Sequence, residues 1–168
     1  MDKIVEQGII RLQTLISETK KNQESVSQEL ISQYSCLLDC MISVVSPLIH
    51  EIGSEFLRKA KVDGKGDLYD QEYYEHKMIV LGKSDSVVGF RPDNPNKKVI
   101  DQFLVLSEQG KLYELMFSND GYITDTYASP LTSEYALDLY GYDILYVLYS
   151  GMHEYYLAEQ DILSALNT

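Results

Sequence analysis

The stretch that decides the fold is VIDQFLVLSEQGKLYELMFSNDGYITDTY, residues 99–127. Three short runs rich in β-branched and aromatic residues are separated there by the turn-forming triplets EQG and NDG. Such short breaks favour hairpins, because two parallel strands need a crossover of about a dozen residues. The stretch therefore predicts antiparallel strands in which each strand pairs with the next.

The same pattern extends towards the N-terminus. KMIVLG and SVVGF are similar runs, and the loop RPDNPNKK that follows them is a basic tip. Together with the first stretch they predict an antiparallel meander of four to five strands within residues 76–128. VDGKGD, residues 62–67, is punctuated by glycines. It predicts a solvated linker over residues 61–75.

Residues 1–60 are predicted to be helical, because apolar residues recur there every three or four positions. Ser25 and Gln28 form a capping box that would start a second helix, and Pro47 predicts a kink or a fresh helix. Two antiparallel helices and one long interrupted helix both fit this pattern. The predicted buried stripe of the second helix is Val26, Leu30, Tyr34, Leu37, Met41 and Val45.

Residues 130–168 predict a C-terminal helical layer that starts near Ser129 and Pro130. Within it, residues 142–158 fit either a buried helix or a hairpin of two strands, and their Leu and Met content favours the helix. The prediction is therefore an α+β protein with a single domain over residues 1–168. Its order is N-terminal helices, antiparallel sheet and C-terminal helical layer.

The net charge of −12 is concentrated at one end of the chain. Residues 1–60 carry a net charge of −2 and residues 61–111 a net charge of −1, whereas residues 112–168 hold nine carboxylates and no Lys or Arg. Nucleic acid and anionic membranes bind Lys and Arg, so we expect neither as a partner. The acidic field favours encounter with a basic protein surface.

The acidic end also contains most of an unusual run of aromatic residues. DLYGYDILYVLYSGMHEYYLAEQD, residues 138–161, holds six tyrosines and five carboxylates. Tyrosine is a common anchor in protein interfaces, because it gives a large rigid contact area. We expect residues 144–149 to lie in the core and residues 153–161 to form a contact surface. The candidate partner-binding residues are His153, Glu154, Tyr155, Tyr156, Glu159 and Asp161.

The sequence contains no phosphate-binding glycine loop, no nucleophile elbow and no paired metal-ligand spacing. Its histidines, His50, His76 and His153, are isolated from one another. Cys36 and Cys40 lack a matching pair of zinc ligands and are predicted to be buried in the core. We therefore expect no catalytic residues, no cofactor and no bound metal.

These observations predict a non-enzymatic, cytoplasmic binding module of the immunity-, antitoxin-, chaperone- or adaptor-like kind. The cytoplasm is expected because the two cysteines form no disulfide framework and the N-terminus lacks a signal-peptide pattern. One alternative is a small enzyme or small-molecule-binding domain with a pocket between sheet and helices. Another is a structural subunit that forms a homodimer through residues 1–60.

Overall fold

The computed structural model describes residues 3–166, except for the side chains of residues 3–10, 12, 13 and 23–26. Its order of helix, six strands and two helices confirms the predicted α+β class. The elements are α1 Lys3–Ile52, β1 Leu57–Val62, β2 Leu68–Tyr73, β3 Met78–Lys83, β4 Asp101–Ser107, β5 Leu112–Asn119, β6 Ile123–Leu131, α2 Ser133–Tyr140 and α3 Asp143–Leu166.

The six strands form one antiparallel sheet in the order β2-β1-β6-β5-β4-β3. β3 to β6 are the predicted meander, and the β1–β2 hairpin joins it beside β6. The predicted linker at residues 61–75 is therefore wrong, since it folds into most of this hairpin. Asp63 makes the turn, because its Oδ1 accepts the backbone N–H groups of Lys65 at 2.8 Å and Asp67 at 2.9 Å.

Helix α1 is uninterrupted from Lys3 to Ile52. The predicted second start near Ser25 and the fresh helix at Pro47 are therefore wrong, although the Ser25 side chain lies outside the described residues. The helix also ends before the predicted boundary at residue 60. Gly53 follows it, and a Cβ at that position would lie 2.5 Å from the Ile49 carbonyl oxygen.

The main core forms where α1 packs on the sheet. Of the predicted stripe, Val45 is buried and Met41 partly buried, whereas Leu30, Tyr34 and Leu37 are exposed, because the buried positions before Val45 lie one residue after the predicted ones. The side chain of Val26 lies outside the described residues. The buried stripe packs against Leu81, Leu104, Leu106 and Leu112 of the sheet and against the buried residues of α2 and α3. The buried side chains of the stripe are Ser35, Leu38, Ile42, Val45 and Ile49.

The segment Thr14–Ile52 of α1 contains an 18-residue window with a mean hydropathy of 1.4, which by length and composition alone is apolar enough to cross a membrane. In the structure the same segment supplies the buried stripe of the main core. Core packing therefore accounts for part of its apolar character. The absence of a membrane partner stays a prediction.

The predicted strand SVVGF is wrong, because residues 84–100 form a loop. The backbone N–H of Val88 donates to Oε1 of Gln102 at 3.0 Å. The side chain of Gln102 thus accepts the backbone N–H that would bond to a neighbouring strand if this segment were a strand. Within the loop one isolated bridge joins Phe90 to Lys98.

The same loop turns two of its cations inward, in contrast to the predicted basic tip. Arg91 is buried, and its Nε donates to Asp93 at 2.9 Å while its Nη1 lies 2.9 Å from Asp125 of β6. Lys97 forms an ion pair with Asp125 as well. The Arg91 guanidinium lowers the pKa of Asp93. The loop is therefore held to the sheet by charge pairing.

The register of α1 can be tested with two leucines of the same helix. Leu38→Ala should lower the free energy of unfolding by about 2–5 kcal/mol, because it leaves a cavity in the core. Leu15→Ala, at an exposed position of the same helix, should change it by less than about 0.5 kcal/mol. Urea denaturation of both variants measures the difference, and equal losses would contradict the register.

Candidate partner-binding surface

The candidate surface is positioned by the corner between α2 and α3. Thr132 caps α2 by accepting the backbone N–H of Tyr135, and Gly141 ends the helix with a φ of 76°. That left-handed conformation favours glycine and lets the chain turn sharply into α3. The direction of α3 is thus set within three residues of the end of α2.

The corner is tied to the sheet by a buried polar cluster. Tyr140 donates to Oε1 of Glu114 at 2.8 Å, and the side-chain amide of Gln102 donates to the same oxygen. Burial, helped by the neighbouring carboxylate, raises the pKa of Tyr140 far above its ordinary value. The phenol therefore stays protonated and holds α2 on the sheet.

Residues 143–158 are helical, with α3 starting at Asp143, so the hairpin alternative is wrong. In the first half of α3, Ile144 and Leu148 are buried against the sheet. The predicted core at residues 144–149 is only partly right, because Tyr146 is 72% and Tyr149 58% exposed. In the second half, every side chain from Tyr156 to Leu166 is exposed.

The six candidate residues lie between His153 and Asp161, from the middle of α3 into its second half. Five of them are exposed, and Tyr155 is partly buried. Its hydroxyl lies 3.0 Å from Oε1 of Glu159 and 3.2 Å from Oε2 of Glu51. The two carboxylates, with Glu159 contributing most, raise the pKa of Tyr155 to about 12. Tyr155 therefore joins α3 to the end of α1 as a neutral donor.

Glu51 belongs to this acidic group but was not predicted from the sequence. It lies 104 positions from Tyr155 along the chain. No local spacing relates residues so far apart, and only the packing of α3 beside α1 brings them together.

Helical geometry separates three aromatic residues of α3 from its acids, whereas Tyr155 lies among the acids. At 3.6 residues per turn, His153 and Tyr156 share one side of α3 with Tyr149. Glu154 and Asp161, seven residues apart, share another side, and Glu159 lies on a third. The result is an uncharged row with carboxylates on both flanks.

The uncharged row has a concave part. The rings of Tyr149 and His153 stack with their centroids 5.8 Å apart. A surface hollow of about 370 Å³ lies along this side of the helix. Its lining residues are Tyr149, Met152, His153, Tyr156, Leu157 and Gln160.

The flanking acids are not neutralised within the described part of the chain. Among residues 3–166, Glu154, Glu159 and Asp161 form no ion pair with a Lys, Arg or His. α3 itself contains no Lys or Arg. The negative potential of this half of the helix is thus directed to the solvent.

The structure brings together two histidines that are far apart in the sequence. Nδ1 of His50 lies 2.8 Å from one oxygen of Glu108, and Nδ1 of His76 lies 3.2 Å from the other. These hydrogen bonds, that of His50 first, lower the pKa of Glu108. The cluster joins the end of α1 to the β2–β3 and β4–β5 connections. His153 lies apart on α3.

Two cavities bear on the alternative of a small-molecule site. The one between α1, β3 and α3 has a volume of about 200 Å³ and is lined mainly by aliphatic side chains. A larger one of about 460 Å³ lies on the opposite face of the sheet, where its lining includes Arg58, Tyr74, His76 and Tyr113. Within residues 3–166 no His, Cys, Asp and Glu side chains form a group of three arranged to hold a metal ion.

The predicted burial of the cysteines is wrong. Cys36 and Cys40 are free and exposed. Because the buried stripe of α1 passes through Ser35 and Leu38, both thiols lie on the solvent side of the helix.

Comparison of the chain with protein-family models, with curated proteins and with solved structures gave no match. Function must therefore be argued from the geometry and the charges of these residues.

The cluster around Glu108 predicts a dependence of stability on pH. Folding lowers the pKa of Glu108 below its ordinary value of 4.5. The ionised carboxylate therefore stabilises the protein at pH values above 4.5, and this stabilisation is lost as the pH falls through the lower pKa of the folded state. Glu108→Gln should therefore be less stable than the wild type at neutral pH, and the difference should shrink as the pH falls below 4.5. Urea denaturation across this range measures both proteins. A difference that persists in acid would contradict the ionic role.

Proposed function

We propose that this protein is a non-enzymatic binding module that engages a basic protein surface through residues 153–161 of α3. The observation that carries the proposal is the presence of three exposed carboxylates that form no ion pair within the described residues, beside an uncharged aromatic row. These carboxylates are Glu154, Glu159 and Asp161.

The two kinds of side chain have different roles in such a contact. Tyr156 and His153 offer rings and a hollow that an apolar or aromatic anchor of the partner can fill, which supplies affinity. The carboxylates on the flanks attract Lys and Arg, which speeds the encounter and fixes the orientation. Phenol faces also attract cations. Binding should weaken as salt screens the flanking charges.

The class of function that we propose is occlusion or escort of a basic protein in the cytoplasm. Immunity proteins, antitoxins, chaperones and adaptors all include small acidic proteins with this physical character, although shared character is a weaker argument than a shared site. The proposal involves neither nucleic acid nor an anionic membrane. It requires no cofactor and no metal.

Charge reversal tests the proposal. Glu154→Lys, Glu159→Lys and Asp161→Lys, combined in one variant, should weaken partner binding about tenfold or more, because three attractive contacts become repulsive. Affinity capture from native extract at low salt, with a salt gradient and mass spectrometry, identifies proteins that the wild type retains. Binding constants of those proteins are then measured for each variant.

The matched control carries the same change of charge at exposed acids elsewhere, namely Glu29→Lys, Glu55→Lys and Asp85→Lys. This variant should retain the partner. Equal loss in both variants would show that only the net charge matters, and unchanged binding in the α3 variant would refute the proposed surface. Circular dichroism confirms that both variants are folded.

One observation favours a second candidate function. The cavity of about 460 Å³ falls in the range of small-molecule sites and has polar groups around an apolar floor. It lies on the face of the sheet opposite the helices, so it differs from the predicted pocket between sheet and helices. A small molecule that raises the melting temperature of the wild type but not of Arg58→Ala would support it.

A further inference from the structure

A second exposed surface lies on α1. It is almost free of charge, whereas residues 153–161 of α3 are acidic. Between Leu30 and Ile49 the helix carries one charged residue, Asp39, whose carboxylate accepts a hydrogen bond from Ser133 of α2. Asp39 and Tyr34 are themselves exposed. We name the remaining exposed residues of this part of the helix, none of which is charged, the neutral face of α1. They are Leu30, Ser32, Gln33, Cys36, Leu37, Cys40, Ser43, Val44 and Pro47.

Such a face is unusual on this protein. Charged residues make up 24% of the chain, and about that share or more is usual at a protein surface. The neutral face instead exposes an apolar row at intervals of seven residues, with Leu30 at 42%, Leu37 at 47% and Val44 at 53%. Depletion of charge around exposed apolar side chains is typical of the centre of a protein interface. Spacing by seven is the pattern with which one helix packs along another.

We propose that the neutral face of α1 binds the same face of a second copy of this chain. Each copy carries a net charge of −12, so the repulsion between two copies costs least when no carboxylates meet in the contact. The neutral face meets this condition. A basic partner would gain no ion pair there, which favours a second copy over the partner proposed for α3. A two-fold symmetric contact is also the commonest form of a homodimer.

The size of the face fits a dimer contact. The twenty residues from Leu30 to Ile49 extend over about 30 Å. Beside the face, Tyr34 of the same helix packs against Tyr142, the residue before α3, with ring centroids 4.8 Å apart. A specific interface needs about 600 Å² or more per copy, and a contact along about 30 Å of helix is of this scale.

The exposed cysteines give this contact a built-in probe. Cys36 and Cys40 flank the middle of the neutral face. A two-fold axis through that middle places the thiols of both copies near one another, whether the helices run parallel or antiparallel. Mild oxidation with copper phenanthroline should then link two chains, since a disulfide requires Cα atoms within about 7 Å.

The first measurement is the mass in solution by sedimentation velocity. The wild type should sediment as a dimer, with twice the mass of the 19.2 kDa chain. Leu37→Glu with Val44→Glu should sediment as a monomer with an unchanged circular dichroism spectrum, because four carboxylates would meet in the contact. The control Tyr122→Glu, at an 80% exposed turn position between β5 and β6, should remain a dimer.

The second measurement is the yield of disulfide-linked dimer on a non-reducing gel. The wild type and Tyr122→Glu should cross-link, and Leu37→Glu with Val44→Glu should lose most of that yield. A wild type that is monomeric at about 100 μM would overturn the proposal, as would a dimer that survives both glutamates. A monomer that floats with phosphatidylcholine vesicles would overturn it too and assign the face to lipid. Residues 153–161 are intact in all these variants, so failure here is distinguishable from failure of the α3 surface.

Discussion

The packing of one stripe of α1 against the sheet is the constraint on which the rest of the structure depends. Leu38, Val45 and Ile49 are buried on Leu104 and Leu106, and this contact fixes the rotation of a fifty-residue helix about its axis. A rotation by one residue, about 100°, would turn Leu37 inward and Leu38 outward. The observed rotation of α1 exposes the cysteines and the neutral face to solvent. It also leaves the end of α1 beside α3.

A second constraint acts through polar groups. Glu114 lies in the sheet and is buried, which is costly for a carboxyl group unless hydrogen bonds satisfy it. Gln102 and Tyr140 supply these bonds, the second from α2. Because the cluster locates the end of α2, it also locates the start of α3. The acidic half of α3 is thus presented by rigid elements, which lowers the entropic cost of binding a partner.

The limits of sequence-based prediction follow from these contacts. β4, β5 and β6 were predictable, because their β-branched and aromatic residues and the glycine-containing turns between them mark them clearly. β2 was not, since all its side chains are exposed and it therefore lacks an apolar pattern. The stripe of α1 was predicted correctly at Val45 but one residue out of register before it, because two apolar rows lie side by side, through Leu37 and Leu38. Only the tertiary contact decides between them.

The candidate surfaces show the same division between local and long-range information. The exposed helix at residues 153–161 was predicted from local composition, whereas the contact of Tyr155 with Glu51 depends on the packing of two distant helices. The sequence pattern did not indicate the neutral face, because it placed Leu30 and Leu37 in the buried stripe of α1. Apolar residues of an interface and of a core have the same sequence pattern, and burial alone separates them.

The separation of charge gives the two proposed contacts opposite responses to salt. Binding of a basic partner at α3 rests partly on attraction between unlike charges, so added salt weakens it. Pairing of two copies through α1 works against repulsion between two molecules of net charge −12, and added salt screens that repulsion. In the proposed arrangement two copies of the chain therefore associate through their neutral faces, and the carboxylates of α3 remain free for a different protein. Residues 112–168 hold nine carboxylates and no Lys or Arg. This uneven distribution of charge along the chain is what allows the two contacts to use different surfaces.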